Sequence, residues 1–566
     1  MWYALKLCCW GYNEISIPFS RQTFVAENQP PEYDSVNQIS PYEIPTAVAV
    51  EKDDGKKSVV RESLSFGGIV AWLTIIAVVV AMISLTAFSR SAEESRTEAT
   101  SSDLFPIQLQ GRALVGQNNF MGGTGTKAKE KENDEDDDKD DDSDNDNRKA
   151  KKKKRKSPAT LVPDELNDGT YEQRLCYVLL INEDNGPEEA AEKLVELDEA
   201  AEEAGFEMSE NQTRLRTIMQ TLLDSQRQGD PDAESLSVED RDFLRARLGW
   251  IGELALAPQG TRNEETRKEL LADASWSMGM MVVATLMGLL TLMAGFASAV
   301  AFAVLFATEK LRPKFTTCGK SLNIYVETFA LWMVFFFGGP QLTAIAVQSS
   351  GIELSAAIDM TISASFFFGS LIVLIYPTMR GISFKQLCND IGWKAKGGII
   401  DILVSPINYI AGTPLMFCGM FCVLILTAIA SFFVAEKPFG TSVAAGHPIQ
   451  DIIANGQWLS IAYVILMACV AAPIVEETMF RGVLYRHLRE LSGSWARWGS
   501  VIFSAVFNGV IFAAIHPQGF IAIPLLTALA INFSLAREWR DSLIAPIIMH
   551  AINNGAVTTF MVLMMS

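Results

Sequence analysis

The pattern of apolar and polar positions splits the chain in two. Residues 66–88, FGGIVAWLTIIAVVVAMISLTAF, run 23 positions without a charge. At about 1.5 Å per residue, such a helix crosses a hydrocarbon core of roughly 30 Å. Comparable stretches return only after residue 275, at about 276–308, 322–348, 355–377, 406–434, 458–488, 499–516, 519–535 and 541–565. The fold expected from this pattern is all-α: a polytopic transmembrane helical bundle over 275–566, preceded by a single N-terminal span. The 276–308 run is long for one crossing and leaves room for a re-entrant turn near Gly295.

Between the first span and the bundle the periodicity changes. The stretches YEQRLCYVLLINEDNGPEEAAEKLVELDEAAEEAGF, NQTRLRTIMQTLLDSQ and VEDRDFLRARLGWIGELAL carry apolar residues at helical spacing with charges on the other faces. They predict a small soluble helical domain of three to five helices over 161–260. Residues 89–160 pass from KEKENDEDDDKDDDSDNDNR into RKAKKKKRK and read as a disordered charged linker. Residues 1–65, polar and punctuated by Pro and Asn, read as a disordered N-terminal tail. Their opening apolar run is too short, and lacks the basic region, for a signal peptide.

Charge sharpens this division. Of 47 Lys+Arg and 66 Asp+Glu, residues 275–566 hold 15 and 13, so residues 1–274 carry a net −21. The loops 309–321, 378–397 and 481–497 are basic, whereas 349–354 and 435–457 hold only Lys437 between them. Basic loops face the cytoplasm, which implies a multi-pass integral membrane protein, in the cytoplasmic membrane if the source is bacterial. The 89–274 segment then falls on the far side, unless a re-entrant turn near Gly295 reverses it. The expected surroundings are the lipid bilayer; the basic run is read as a spacer paired with its acidic neighbour, and no nucleic acid partner is expected. The eight cysteines show no CxxC pair and no His at metal-ligand spacing, and read as packing residues.

The chemistry concentrates late in the chain, where APIVEETMFRG sets adjacent glutamates against an apolar run. Glu477 and Arg481 stand four apart with the acid first, the favourable order for a helical ion pair. Glu476 is rotated about 100° away and is left available as a base. Pro473 removes a backbone donor and frees a carbonyl. The chain has four histidines, and two lie within late membrane segments. NGVIFAAIHPQGF aligns Asn508, Phe512 and His516 on one helical face, and HAINN does the same for His550 and Asn554. Ionisable residues inside a membrane mark a functional site by default. His447 and His487, in or beside loops, read as non-functional, and Asn553 as a helper at most. The competing readings are a helix end with snorkelling charges for Glu476/Glu477, a helix cap for His516, and an interhelical packing pair for His550–Asn554.

EExxxR, FxxxH and HxxxN, in this order and each in a membrane segment, resemble the three motifs of the CPBP intramembrane endopeptidases. That family includes the CAAX prenyl endopeptidases and the bacteriocin-processing or self-immunity proteins. The resemblance covers about residues 400–566 and says nothing of the N-terminal extension. It implies hydrolysis of a peptide bond in a membrane-associated protein or peptide substrate. Carried over, Glu476 and His516 activate a water, His550 and Asn554 hold the oxyanion, Glu477 with Arg481 braces the site, and Phe512 packs the His helix. No cofactor is favoured. The alternative is a zinc site held by Glu476, His516 and His550, although HExxH is lacking. Two non-proteolytic readings stay open: a membrane scaffold or immunity-type protein of the same fold, and an ion-binding transporter, for which the late clustering of polar groups is unfavourable.

Overall fold

The computed structural model describes residues 63–94, 98–132, 162–232, 234–259, 263–317, 322–352, 356–394, 397–433, 439 and 458–565. The expectations for the tail (1–62) and for the acidic-to-basic run (133–161) lie outside them. Among the described residues the regular elements are helices alone.

Helix α1 is Phe66–Glu94 and α2 is Ser101–Glu132. A helical domain follows, built from α3 (Tyr171–Asn185), α4 (Pro187–Glu203), α5 (Glu210–Arg227) and α6 (Val238–Ala255). Thr170 and Ser209 start α3 and α5 with capping boxes to Gln173 and Gln212, satisfying backbone donors that a helix start leaves unpaired. Leu175, Leu179, Leu215, Leu222, Leu244 and Leu248 are buried between these helices.

Helix α2 corrects the expectation of a disordered linker over 89–160. Leu104, Ile107 and Val115 at helical spacing bury against the domain core, and Gly116 lets α2 approach Ala274 so closely that an added Cβ would meet its carbonyl oxygen at 2.4 Å. The composition of the whole segment, dominated by its charged second half, masked this short apolar stripe.

Glu98 ties the start of α2 to α5. Its carboxylate accepts from Ser209 Oγ (2.6 Å), from Asn211 Nδ2 (3.0 Å) and from the Arg247 guanidinium. The Ser209 hydrogen bond, with help from Arg247 and Asn211, holds this carboxyl below its usual pKa. A lowered folded-state pKa contributes stability above the unfolded value of about 4.3, and that stability is lost as pH falls through the folded value. Glu98→Gln should therefore lower the domain's melting temperature at pH 7, at a cost of about 1 kcal/mol. The gap to wild type should narrow below about pH 4; an equal gap at pH 7 and pH 3 in Trp fluorescence melts would refute the linkage.

The membrane part comprises α7 (Glu264–Ala307), α8 (Leu322–Ser350), α9 (Ala356–Gly369, carried on through tighter turns at Ser370–Leu374 and an α-helical turn to Met379) and the short α10 (Phe384–Asp390). It continues with α11 (Ile399–Ala411), α12 (Thr413–Phe433), α13 (Trp458–Leu491), α14 (Arg497–Ala514), α15 (Gly519–Arg540) and α16 (Ile544–Met565). Among the described residues nine helices, α1 included, are long and apolar enough to cross a membrane. Their outward faces are apolar, as Ile69, Leu73, Leu290, Met293, Leu424 and Ile502 show. An aliphatic face of that extent is stable against lipid rather than water.

Helix α7 is continuous over its 44 residues. Gly295 makes no re-entrant turn: it is where α7 touches Thr413, Ile410 and Pro414. The two ends of the bundle are distinct. At one, Asn323 caps the start of α1 through Ser65 N (2.8 Å), and His487 joins Trp72 (3.1 Å) to Leu322 O (2.7 Å). At the other, Arg112 donates to Met564 O (3.1 Å), and Phe439, between α12 and α13, enters the helical domain beside Phe206 (4.8 Å) and under Arg174 (4.5 Å). Phe439 belongs to the weakly charged 435–457 loop. The helical domain thus packs at the end of the bundle opposite the His487 end.

Candidate active site

Helix α13 carries the two glutamates, and its backbone is irregular around them. Met467–Ala471 and Thr478–Leu484 adopt the wider π register on either side of α-helical Ala472–Glu477. Such turns shift side chains around the helix and occur often at functional sites. In π register the carbonyl of residue 468 faces the nitrogen of residue 473, which is a proline and has no N–H. The freed carbonyl is taken by a side chain from α16: Asn554 Nδ2 donates to Ala468 O at 2.8 Å.

Glu477 and Arg481 are fully buried, so neither is a snorkelling charge at a helix end. Arg481 donates to Glu477 Oε1 (2.9 Å) and to Ala530 O (3.2 Å). Its guanidinium lies over the rings of Phe512 (4.6 Å) and Phe533 (5.2 Å). The same Glu477 oxygen meets His550 Nδ1 at 2.8 Å. A carboxylate only accepts, so the proton of this bond is on Nδ1, and Nε2 is the atom His550 presents elsewhere. Phe533 stacks on the His550 ring (5.4 Å) and fixes its plane.

Glu476 points another way. Its Oε2 lies 3.8 Å from His516 Nε2 and 4.0 Å from His550 Nε2. Both distances exceed a hydrogen bond, and this buried oxygen accepts none from the described residues. His516, just past the end of α14, bonds through Nδ1 to Phe512 O and packs on the Phe512 ring at 4.2 Å. When neutral it therefore presents an Nε2 lone pair toward Glu476.

Three helices thus bring Glu476, His516 and His550 together, with Glu477, Arg481 and Phe512 behind them. Asn554 is one helical turn beyond His550, and its amide is on Ala468 O. The meeting depends on the length of α13. Its 34 residues span about 50 Å, more than the hydrocarbon core, and Glu476 sits near mid-helix.

A zinc ion would need its donors about 2.0–2.1 Å from one point, hence about 3.4 Å from one another. The three donors here stand wider, at 3.8 and 4.0 Å from the carboxylate. Among the described residues no group of three His, Cys, Asp or Glu is arranged to hold a metal ion.

Residues 458–556, which contain all seven of these residues, match a family model described as type II CAAX prenyl endopeptidase Rce1-like. This match supports a CPBP-type core in the C-terminal part of the chain. The chain is similar to the membrane-embedded CAAX protease MroQ of Staphylococcus aureus (strain USA300), 26% identical over 224 residues, which covers 38% of this chain and 79% of that protein. No solved structure matches.

Several residues that shape this CPBP core fall outside the three motifs. Asn508 donates to Phe480 O (2.8 Å) in the second π turn, and its place on the His516 face was the available signal. Phe533 carried none. Toward the basic loops, Arg489 pairs with Glu538 (3.1 Å), Arg486 with Asp390 and Glu490 (3.3 and 3.1 Å), Arg537 with Asp541 (2.7 Å) and Arg540 with Asp401 (2.6 Å). Glu490 and Asp541 stand four residues from their arginines, whereas Glu538, Asp390 and Asp401 come from other helices, so the pairing of those three leaves no local mark in the sequence.

Proposed function

We propose that the protein is an intramembrane endopeptidase that hydrolyses a peptide bond of a membrane-associated protein or peptide, using a water activated by Glu476 and His516 without a bound metal. The observation that carries this reading is the buried Glu476 Oε2, which accepts no hydrogen bond from the described residues and is faced by two imidazole Nε2 atoms. Such a carboxylate is placed to accept a proton from water. The adjacent Glu477, held by Arg481 and His550, is not.

In the proposed reaction the water gives its proton to the Glu476–His516 pair as its oxygen bonds to the scissile carbonyl carbon. The carbonyl π electrons move onto oxygen, and the oxyanion is met by Nε2–H of His550 and Nδ2–H of Asn554. His550 already spends its Nδ1 proton on Glu477, so donation through Nε2 requires the imidazolium, for which Glu477 is the counter-charge. The intermediate collapses as the C–N bond breaks, and the proton taken from water passes to the departing amine.

The substrate class proposed first is a prenylated peptide with a CAAX C-terminus, the class named in the matching family's description. Full-length protein in lipid nanodiscs would be given internally quenched farnesylated CAAX peptides and a set of single-span membrane peptides, with products identified by mass spectrometry. Wild type is expected to cut at least one of them, and cleavage should survive 1,10-phenanthroline. Loss with the chelator and return with zinc would overturn the metal-free step. A folded wild type that cuts none of them would overturn the endopeptidase reading in favour of a scaffold of the same fold.

A further inference from the structure

We infer that Tyr409 and Asn553 are positioning residues that orient the Asn554 amide toward the reacting carbonyl. The inference rests on the role proposed above for Asn554. Four polar groups form one chain across three helices. Tyr409 O–H, on α11, donates to Asn553 Oδ1 (3.1 Å). Asn553 Nδ2 donates to Asn554 Oδ1 (3.1 Å), and Asn554 Nδ2 donates to Ala468 O (2.8 Å).

The direction of this chain is set from its far end. Ala468 O is a backbone carbonyl that Pro473 cannot serve, and a carbonyl only accepts. Asn554 must therefore turn its NH₂ to α13, which leaves its oxygen toward Asn553. Asn553 must then offer its NH₂ to that oxygen, and its own oxygen faces Tyr409, the one member that donates through a hydroxyl. Any other arrangement sets oxygen against oxygen or nitrogen against nitrogen in a partly buried setting, where unmatched polar groups are costly.

The amide nitrogen of Asn554 carries two hydrogens. One is held on Ala468 O, and the held plane directs the other away from that carbonyl, as an oxyanion donor requires. The Tyr409 ring is anchored independently, packed on the cluster of Leu529, Phe533 and Met549, and Phe533 is the ring stacked on His550. One cluster therefore fixes both proposed oxyanion donors, His550 through its ring plane and Asn554 through the relay.

The test compares kcat and KM for the farnesylated or single-span peptide that wild type cuts fastest, with melting temperatures measured alongside. Tyr409→Phe, which keeps the ring and removes the hydroxyl, should lower kcat roughly 10-fold at unchanged KM. The deciding comparison is Asn553→Asp against Asn553→Ala. A carboxylate accepts from Tyr409 but also draws the Asn554 NH₂ toward itself, reversing the amide, so the aspartate variant should lose roughly 100-fold or more and the alanine variant less. A packing role predicts the opposite order, since aspartate matches asparagine in shape. The inference is overturned if Asn554→Ala is inactive while Asn553→Asp and Tyr409→Phe keep wild-type kcat. If Asn554→Ala itself keeps wild-type kcat, the oxyanion role of Asn554 fails, and this inference with it.

Discussion

Glu476→Gln is expected to lower kcat by about 10³-fold, the middle of the range a general base contributes, and to leave the fold intact. The reason lies in what each glutamate touches. Glu476 Oε2 accepts no hydrogen bond from the described residues, so an amide of the same shape breaks nothing there and removes a base. Glu477→Gln is the opposite case. Its oxygen serves both Arg481 and His550, and a neutral amide leaves the guanidinium without its counter-charge. That variant should lose thermal stability together with activity. Melting curves and turnover for the two variants, measured in the same nanodiscs, separate the two roles. Equal stability losses would contradict the division between them, and a Glu476→Gln protein that still turns over would remove Glu476 from the reaction.

That division was legible in six residues because it is local. An acid and a base four apart on a helix face each other whatever the rest of the chain does, and a neighbour rotated by 100° does not. The freed carbonyl near Pro473 was legible on the same grounds, since a missing N–H is a covalent fact. What takes that carbonyl was not legible, because Asn554 lies 86 residues away and reaches Ala468 only through the packing of α16 on α13. The same limit hid the second partner of Glu477. The motif shows an ion pair, whereas the structure adds His550 from 73 residues away. The π turns at Met467–Ala471 and Thr478–Leu484 also leave little trace, because each inserts one residue into a pattern whose apolar composition is unchanged. On the scale of the fold, uninterrupted apolar runs marked the spans well. Helix α2 escaped because its buried face holds few residues and adjoins a strongly charged run that dominates any average over the segment.

The largest loss of stability is expected from Arg481→Met, a replacement of similar length without the charge. Arg481 is fully buried, and removing one member of a buried ion pair costs roughly 3–5 kcal/mol because the other charge stays desolvated. Glu477 would keep only its bond to His550. The double variant Arg481→Met/Glu477→Gln should be more stable than Arg481→Met alone, since it leaves no unpaired buried charge. Its activity should nevertheless stay low. With Glu477 neutral, a positive charge on His550, which the proposed oxyanion contact through Nε2 requires, loses its hydrogen-bonded counter-charge and keeps only Glu476 at 4.0 Å. Stability and catalysis should therefore separate in the double variant, the first partly restored and the second not. A double variant that melts no higher than Arg481→Met would show that the unpaired Glu477 charge is not what destabilises the single variant. One that recovers turnover with stability would show that Glu477 acts on the reaction only by holding the fold.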